Sequence, residues 1–220
     1  MSKHAIGFAV IVAVLAVPAY AQTFYSNGPI NGTTDAWTIN FGFVVSESFT
    51  SNGGGSPIEG LAFGAWLFPG DVLETAQVTI TSSAFGTGGI TYFSQFVNFS
   101  QSGCSANQYG FNVCTETADF SGPTLNSGTY WLSLSNAVVN TGDPVYWDEN
   151  SGPSRAFEDS LGTLPLNATA VGTIPSEAFT ILGETTFASS TTPEPDSLIL
   201  LCSGGMTLFG FLAWRTRKRF

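Results

Sequence analysis

Apolar and polar residues alternate along several short stretches between Gln22 and Phe187. A β-strand with one buried face requires this alternation, because successive side chains point to opposite sides of a sheet. In Trp37–Val45 every odd position is large and apolar, and the same pattern recurs at Leu61, Phe63, Ala65 and Leu67. The pattern predicts strands within Trp37–Val45, Leu61–Leu67, Ala76–Ile80, Tyr109–Val113, Tyr130–Leu134 and Phe179–Leu182.

Segments rich in Gly, Pro, Asn and Ser separate these predicted strands. They lie at Asn52–Pro57, Pro69–Asp71, Gly86–Gly89, Asn126–Gly128 and Asn140–Pro144. Such residues favour turns, and no stretch of residues 22–187 carries a convincing apolar stripe of helical period. We therefore expect an all-β domain over residues 22–187, an antiparallel β-sandwich that is jelly-roll-like rather than immunoglobulin-like.

The segment from Ser197 to Trp214 is uncharged and mostly apolar. At about 1.5 Å per residue a helix of this length spans roughly 27 Å, close to the hydrocarbon core of a bilayer. A basic cluster follows it, formed by Arg215, Arg217, Lys218 and Arg219. Such clusters stay on the cytoplasmic side. The sequence thus predicts a transmembrane helix at 197–214 and a basic cytoplasmic stub at 215–220, with the preceding domain outside.

Pro193, Glu194 and Pro195 precede this predicted helix, within a stalk at 188–196 that is rich in Ser and Thr. The order of Pro-Glu-Pro, short helix and basic stub resembles the PEP-CTERM sorting signal of Gram-negative bacteria. The resemblance implies that an exosortase in the inner membrane recognises the tail and cleaves it near the Pro-Glu-Pro. It further implies anchoring in the inner membrane before processing, and a cell-surface or extracellular location afterwards.

The first 21 residues have the form of a signal peptide. Lys3 and His4 precede an apolar run, Ala5–Val17, and Ala19-Tyr20-Ala21 offers the small residues that signal peptidase requires. Cleavage is expected after Ala21. The alternative, an N-terminal anchor helix, is disfavoured because the apolar run is too short to span a bilayer.

Charge and the lack of histidine exclude several classes of function. Arg155 is the only basic residue between Gln22 and Asp196, whereas all sixteen Asp and Glu residues lie there, which gives a formal charge of −15. A surface of this charge repels nucleic acid. His4 is the only histidine and lies in the predicted signal peptide, so Ser-His-Asp and Cys-His nucleophiles are excluded from the exported protein.

Three cysteines remain to be assigned. Cys104 and Cys114 lie in the exported domain, where an oxidising environment favours a disulfide between them. The alternative is two free thiols. Cys202 lies within the predicted transmembrane helix and is expected to be an apolar filler.

The densest polar cluster of the domain is Asp143, Asp148, Glu149 and Asn150. Oxygen ligands without nitrogen or sulfur suit Ca²⁺, although the spacing is not that of an EF-hand and a solvated acidic loop is the simpler interpretation. No other cofactor is expected. Trp131, Tyr146 and Trp147 are candidates for stacking on a glycan, and core packing is the alternative for them.

These observations favour a non-catalytic protein of the cell surface or extracellular matrix, with exosortase, signal peptidase and the membrane as partners during export. Extracellular polysaccharide is a further partner class. A carbohydrate-binding module is the second hypothesis. The third is a glycan hydrolase, which would need two carboxylates about 5 to 10 Å apart.

Overall fold

A computed structural model describes the backbone of residues 22–161 and 172–183, which is built of β-strands and contains no helix in those ranges. The strands are β1 Gln22–Ser26, β2 Ala36–Thr38, β3 Phe43–Asn52, β4 Ile58–Leu67, β5 Leu73–Thr81, β6 Thr91–Asn98, β7 Ser100–Ala106, β8 Asn112–Asp119, β9 Ser127–Val139, β10 Tyr146–Asp148, β11 Ala156–Ser160, β12 Gly172–Ile174 and β13 Phe179–Gly183.

The strands form two antiparallel sheets. In the first sheet, β4 is the central strand, with β8 and then β7 along one edge. Its other edge is shared: β13 pairs with the first half of β4 and is followed by β1, whereas β10 pairs with the second half and is followed by β2. The second sheet has the order β12-β11-β3-β9-β5-β6.

Both sheets contribute to one apolar core, as in a β-sandwich. Phe49 of β3 in the second sheet lies with its ring centroid 5.9 Å from that of Tyr25 in β1 of the first sheet. Burial of apolar surface between sheets is the main force that stabilises such an arrangement. The prediction of an antiparallel β-sandwich is confirmed at this level, and the closer likeness to a jelly roll stays a prediction.

The alternation in the sequence identifies the inward face of several strands correctly. Leu61, Phe63, Ala65 and Leu67 of β4 are fully buried, and the apolar positions predicted within β5, β9 and β13 are buried as well, except for the half-exposed Leu182. Three of the five predicted turns lie wholly between strands, while the other two overlap the end of β3 at Asn52 and the start of β9 at Ser127.

Two strand predictions need correction. The stretch Trp37–Val45 is not one strand but parts of β2 and β3, because the chain turns at Phe41 and Gly42, which have φ angles of 53° and 85°. Phe41 is exposed as a result. Tyr109 also lies outside a strand, in the turn that joins β7 to β8.

Several predicted segments lie outside the described residues. These are the signal peptide, the stalk with its Pro-Glu-Pro, the helix at 197–214 and the basic stub. Within residues 22–161 and 172–183, no helix has the length and hydropathy needed to cross a membrane.

Candidate functional site

Carboxyl groups are concentrated in the interior of the sandwich. Eight of the thirteen Asp and Glu residues in the described ranges are buried: Glu47, Asp71, Glu116, Asp148, Glu149, Glu158, Asp159 and Glu177. The large negative charge deduced from the sequence is therefore mostly not a surface charge in this part of the chain. Burial disfavours the charged form of an acid, so these interior groups need hydrogen-bond donors or protons to be stable.

The densest group of carboxyls forms where two distant parts of the chain meet. The chain just after β10 lies antiparallel to the chain just before β13, with a β-bridge between Glu149 and Glu177. The N–H of Asn150 donates to the carbonyl oxygen of Ser176 at 2.7 Å. On the opposite sheet, the Oε2 atom of Glu47 accepts a hydrogen bond of 2.9 Å from the N–H of Glu177. This contact links β3 to the segment that leads into β13.

Glu177 is the most confined acid of this group. Its side chain is fully buried, and neither carboxyl oxygen has a hydrogen-bond partner. Burial raises the pKa of Glu177 well above its usual value, and the negative charges of Glu47, Glu149, Asp148 and Asp35 raise it further. Both effects favour the neutral form of this carboxyl group over the carboxylate.

Glu47 lies at the boundary between the charged and the neutral form. Burial raises the pKa of Glu47 to about 7, although hydrogen bonds from the N–H of Glu177, the N–H of Ser48 and the hydroxyl of Ser176, and the nearby hydroxyl of Ser154, oppose the rise. Glu47 and Glu177 thus form a pair of buried acids, called here the Glu47–Glu177 pair. The pKa of both acids is raised, and that of Glu47 lies at about 7.

A buried polar network surrounds this pair. Asn27 is its centre: its Nδ2 donates to the Oγ of Ser176 at 2.6 Å and to the carbonyl oxygen of Glu177 at 2.8 Å. Its Oδ1 accepts from the Oγ of Ser154 at 2.7 Å and from the hydroxyl of Tyr25 at 2.8 Å. Satisfied networks of this kind fix the positions of the groups they contain.

A cavity of about 420 Å³ adjoins the network, and Ser154, Arg155 and Ser176 contribute to its lining. The carboxyl group of Glu47 thus lies close behind the serine side chains of this cavity wall. The carboxyls of Glu47 and Glu177 themselves are buried, so their first effect is on the stability of the fold.

The acidic residues proposed as a calcium site are bound to other parts of the protein. Asp148 is buried, and its carboxylate accepts three hydrogen bonds: from the N–H of Asn31 at 2.8 Å, from the N–H of Gly32 at 2.9 Å and from the Nε1 of Trp66 at 2.6 Å. Burial raises the pKa of Asp148, and these three donors lower it.

The other three proposed calcium ligands lie in separate surroundings. The Oε2 of Glu149 accepts from the Nε1 of Trp37 at 2.9 Å, and the Nδ2 of Asn150 donates to the carbonyl oxygen of Asn27 at 2.9 Å. Asp143 is half-buried in the turn after β9. Among the described residues, no three His, Cys, Asp or Glu side chains are arranged to hold a metal ion. The calcium hypothesis stays a prediction without a converging ligand set.

The three aromatic residues proposed for glycan stacking occupy different environments. Trp131 is half-buried and lies against Phe157, with ring centroids 5.5 Å apart. Tyr146 is half-buried in β10, between β4 and β2 of the first sheet. Trp147 is 0% exposed, and its Nε1 donates to the carbonyl oxygen of Ala178 at 2.9 Å. The proposal is wrong for Trp147, because a side chain packed in the core has no face for a ligand.

The disulfide between Cys104 and Cys114 is confirmed, and it joins the neighbouring strands β7 and β8. Cys202 lies outside the described residues. So do the predicted sorting residues Pro193, Glu194, Pro195, Arg215, Arg217, Lys218 and Arg219.

Sequence reasoning missed the Glu47–Glu177 pair. A signal for Glu47 was present, because it occupies an inward position of β3 between Val45 and Phe49, which are both buried. A carboxyl on the apolar face of a strand must find a partner or a proton. Glu177 has no comparable signal, since its burial depends on a contact 130 residues away in the sequence.

Comparisons with known proteins identify the tail rather than the sandwich. Searches among curated proteins and among solved structures gave no match to this chain. Residues 191–218 match the family model described as the PEP-CTERM protein-sorting motif. The match covers the positions of the Pro-Glu-Pro, the apolar segment and most of the basic stub. The chain therefore combines an all-β domain with a PEP-CTERM sorting motif, which implies export of the protein along the exosortase route.

Proposed function

We propose that this protein is a non-catalytic component of the cell surface or extracellular matrix, delivered there by exosortase-dependent sorting. The observation that carries the proposal is the sorting motif at residues 191–218. The motif accounts for the destination, and the sandwich is the part that remains outside the cell. Signal peptidase removes residues 1–21, and the helix at 197–214 anchors the protein in the inner membrane until exosortase acts.

The position of the motif in the chain supports this division of labour. The last described strand, β13, ends at Gly183, and the matched motif begins at residue 191. The chain between them contains Ser and Thr and has the composition of a short linker. Cleavage near Pro195 would therefore separate the tail without removing any described strand.

The test is the mass of the mature protein recovered from its host. We expect an N-terminus at Gln22 and a C-terminus near Pro195, because the two processing signals lie there. A matched variant with Pro193, Glu194 and Pro195 all changed to Ala should keep its tail and stay with the inner membrane. Intact Phe220 in most of the wild-type protein, from a host that possesses an exosortase, would contradict the proposal.

The non-catalytic part of the proposal has its own control. The described residues lack histidine and lysine, and their strongest acid–base candidates are the buried Glu47 and Glu177. Incubation of the exported protein with polysaccharides should yield no new reducing ends. Turnover that disappears in Glu47→Gln would instead establish the glycan-hydrolase hypothesis.

A further inference from the structure

A second cavity, of about 400 Å³, lies between the loop at residues 30–33 and the β7–β8 hairpin. We propose that this cleft, with the ring of Tyr109 beside it, binds a segment of neutral polysaccharide. The proposal adds a ligand site to the proposed function and rests on it only for the extracellular source of the polysaccharide. The volume lies in the range usual for small-molecule sites, about 300 to 1,000 Å³.

The lining of the cleft favours an uncharged, hydroxyl-rich ligand. Its polar side chains are hydroxyls and amides, contributed by Asn31, Thr33, Ser105, Asn107, Gln108 and Thr115. None of the lining residues is charged. Arg155, the only basic residue in the described ranges, lines the other cavity. An acidic sugar would therefore find no cation in this cleft, whereas hydroxyl groups find both donors and acceptors.

The hairpin wall of the cleft is held in a fixed shape. The disulfide between Cys104 and Cys114 lies directly behind it, because the neighbours of both cysteines in the chain line the cleft. At the tip, the Oδ1 of Asn107 accepts hydrogen bonds from the N–H of Tyr109 at 2.9 Å and of Phe111 at 3.0 Å. A preformed wall lowers the entropy cost of binding.

Tyr109 provides an aromatic face next to these polar groups. Its side chain is 53% exposed, and its ring is stacked on Trp66 with centroids 5.5 Å apart and an interplanar angle of 20°. Trp66 is itself fixed by its hydrogen bond to Asp148. The hydroxyl of Tyr109 donates to the carbonyl oxygen of Thr33 at 3.4 Å, which joins the ring to the cleft wall. A ring that is supported on one face and exposed on the other suits the apolar face of a sugar ring.

Further aromatic side chains extend this surface. Phe111 lies 5.8 Å from Trp66, 4.9 Å from Phe68 and 5.5 Å from Tyr146 between ring centroids. Phe68 is 37% exposed. Tyr146, a candidate for glycan stacking from the sequence, thus adjoins the proposed site, although Tyr109 is the more exposed ring.

The experiment measures binding of neutral and acidic oligosaccharides to the exported protein by the change in tryptophan fluorescence. The neutral probes are cellohexaose, maltohexaose and dextran fragments, and the acidic probe is an alginate hexamer. We expect at least one neutral probe to bind and the alginate hexamer to bind less. Tyr109→Ala should weaken the neutral interaction about tenfold, the size expected for the loss of one aromatic contact, and Tyr109→Trp should preserve it.

The matched control is Phe96→Ala, which removes an aromatic side chain that is 61% exposed on β6 of the other sheet. It should leave binding unchanged. Failure of every neutral probe to bind, or equal losses in Tyr109→Ala and Phe96→Ala, would overturn the proposal. If Tyr109→Ala changes the sedimentation of the protein instead, the aromatic surface joins copies of the chain and the glycan site is wrong. Mass spectrometry of the same preparation reports sorting separately, so a failure of binding and a failure of the proposed function are distinguishable.

Discussion

Asp148 and Glu177 are neighbouring buried acids that the protein stabilises in opposite ways. Asp148 accepts hydrogen bonds from two backbone N–H groups and one indole N–H. Glu177 accepts none and faces other carboxylates. Donors favour the carboxylate form, whereas burial among like charges favours the neutral acid. The comparison shows that burial alone does not define the role of an acid, because the surrounding donors decide which form the fold requires.

The largest effect is expected from removing the carboxylate of Asp148. Asp148→Ala leaves three donors without an acceptor, two of them in buried hydrogen bonds, and each buried unsatisfied group costs about 1 to 3 kcal/mol, so the free energy of unfolding should fall by about 2 to 5 kcal/mol. Urea denaturation of the exported protein measures the change. Glu74→Ala, at an exposed position of β5, is the control and should stay within about 0.5 kcal/mol of the wild type. A loss below about 1 kcal/mol in Asp148→Ala would show that the three donors have other partners.

A smaller effect is expected at the Glu47–Glu177 pair, where the neutral form of the acids, rather than the carboxylate, favours the folded state. The pKa of each acid is raised in the folded protein, so the stability they contribute is complete below their unfolded pKa of 4.5 and is lost as the pH rises through the folded pKa. For Glu47, whose pKa rises to about 7, the loss between pH 4.5 and 8 is roughly 3 kcal/mol. The free energy of unfolding should therefore decrease from pH 5 to pH 8.

Glu177→Gln sharpens this prediction, because glutamine is uncharged at every pH. We expect the variant to lose less stability than the wild type between pH 5 and pH 8. Glu116→Gln is a matched variant, since burial alone raises the pKa of Glu116 to about 7. This variant should also flatten the pH dependence of the free energy of unfolding. Its effect would come from burial alone, because no charged neighbour contributes to the pKa shift of Glu116. A free energy of unfolding that is constant or rises over this range would contradict the raised pKa values of these buried acids.

The smallest effect is expected from calcium. The carboxylate oxygens of Asp148 are occupied by N–H donors, so Ca²⁺ and Mg²⁺ at matched ionic strength should raise the melting temperature equally and only slightly. Thermal melts in each ion and in chelator make the measurement. A shift specific to Ca²⁺ that Asp143→Asn abolishes would instead establish a calcium site. It would correspond to about 2.7 kcal/mol at a hundredfold excess over Kd.

The strand pattern could be read from the sequence wherever one face of a strand is apolar. The inward residues of β4 and β5 were identified because alternation is a local property of an extended chain. The same rule failed at Trp37–Val45, where Phe41 and Gly42 adopt positive φ angles and break the alternation into two strands. A left-handed conformation at Phe41 is unusual for a bulky residue, so local sequence gave no warning of it.

The candidate sites also divide into those that the local sequence predicts and those that depend on distant parts of the chain. The disulfide could be predicted, because two cysteines in an exported domain have few alternatives. The surroundings of Asp148 and Trp147 could not, since their partners lie on distant segments of the chain. The sorting motif at 191–218 is the opposite case, because it is recognised as a linear order of residue types and matches without reference to the fold.

The sequence by itself determined the β class, the disulfide and the exosortase route, which all depend on local patterns of side chains. Only the tertiary structure decided that most of the described acids are buried, that Glu177 faces Glu47, and that Tyr109 lies exposed on Trp66 beside an uncharged cleft. The physical reason is that the state of a carboxyl group or an aromatic ring depends on the solvent and donors around it. Those surroundings are assembled from strands that are far apart in the sequence.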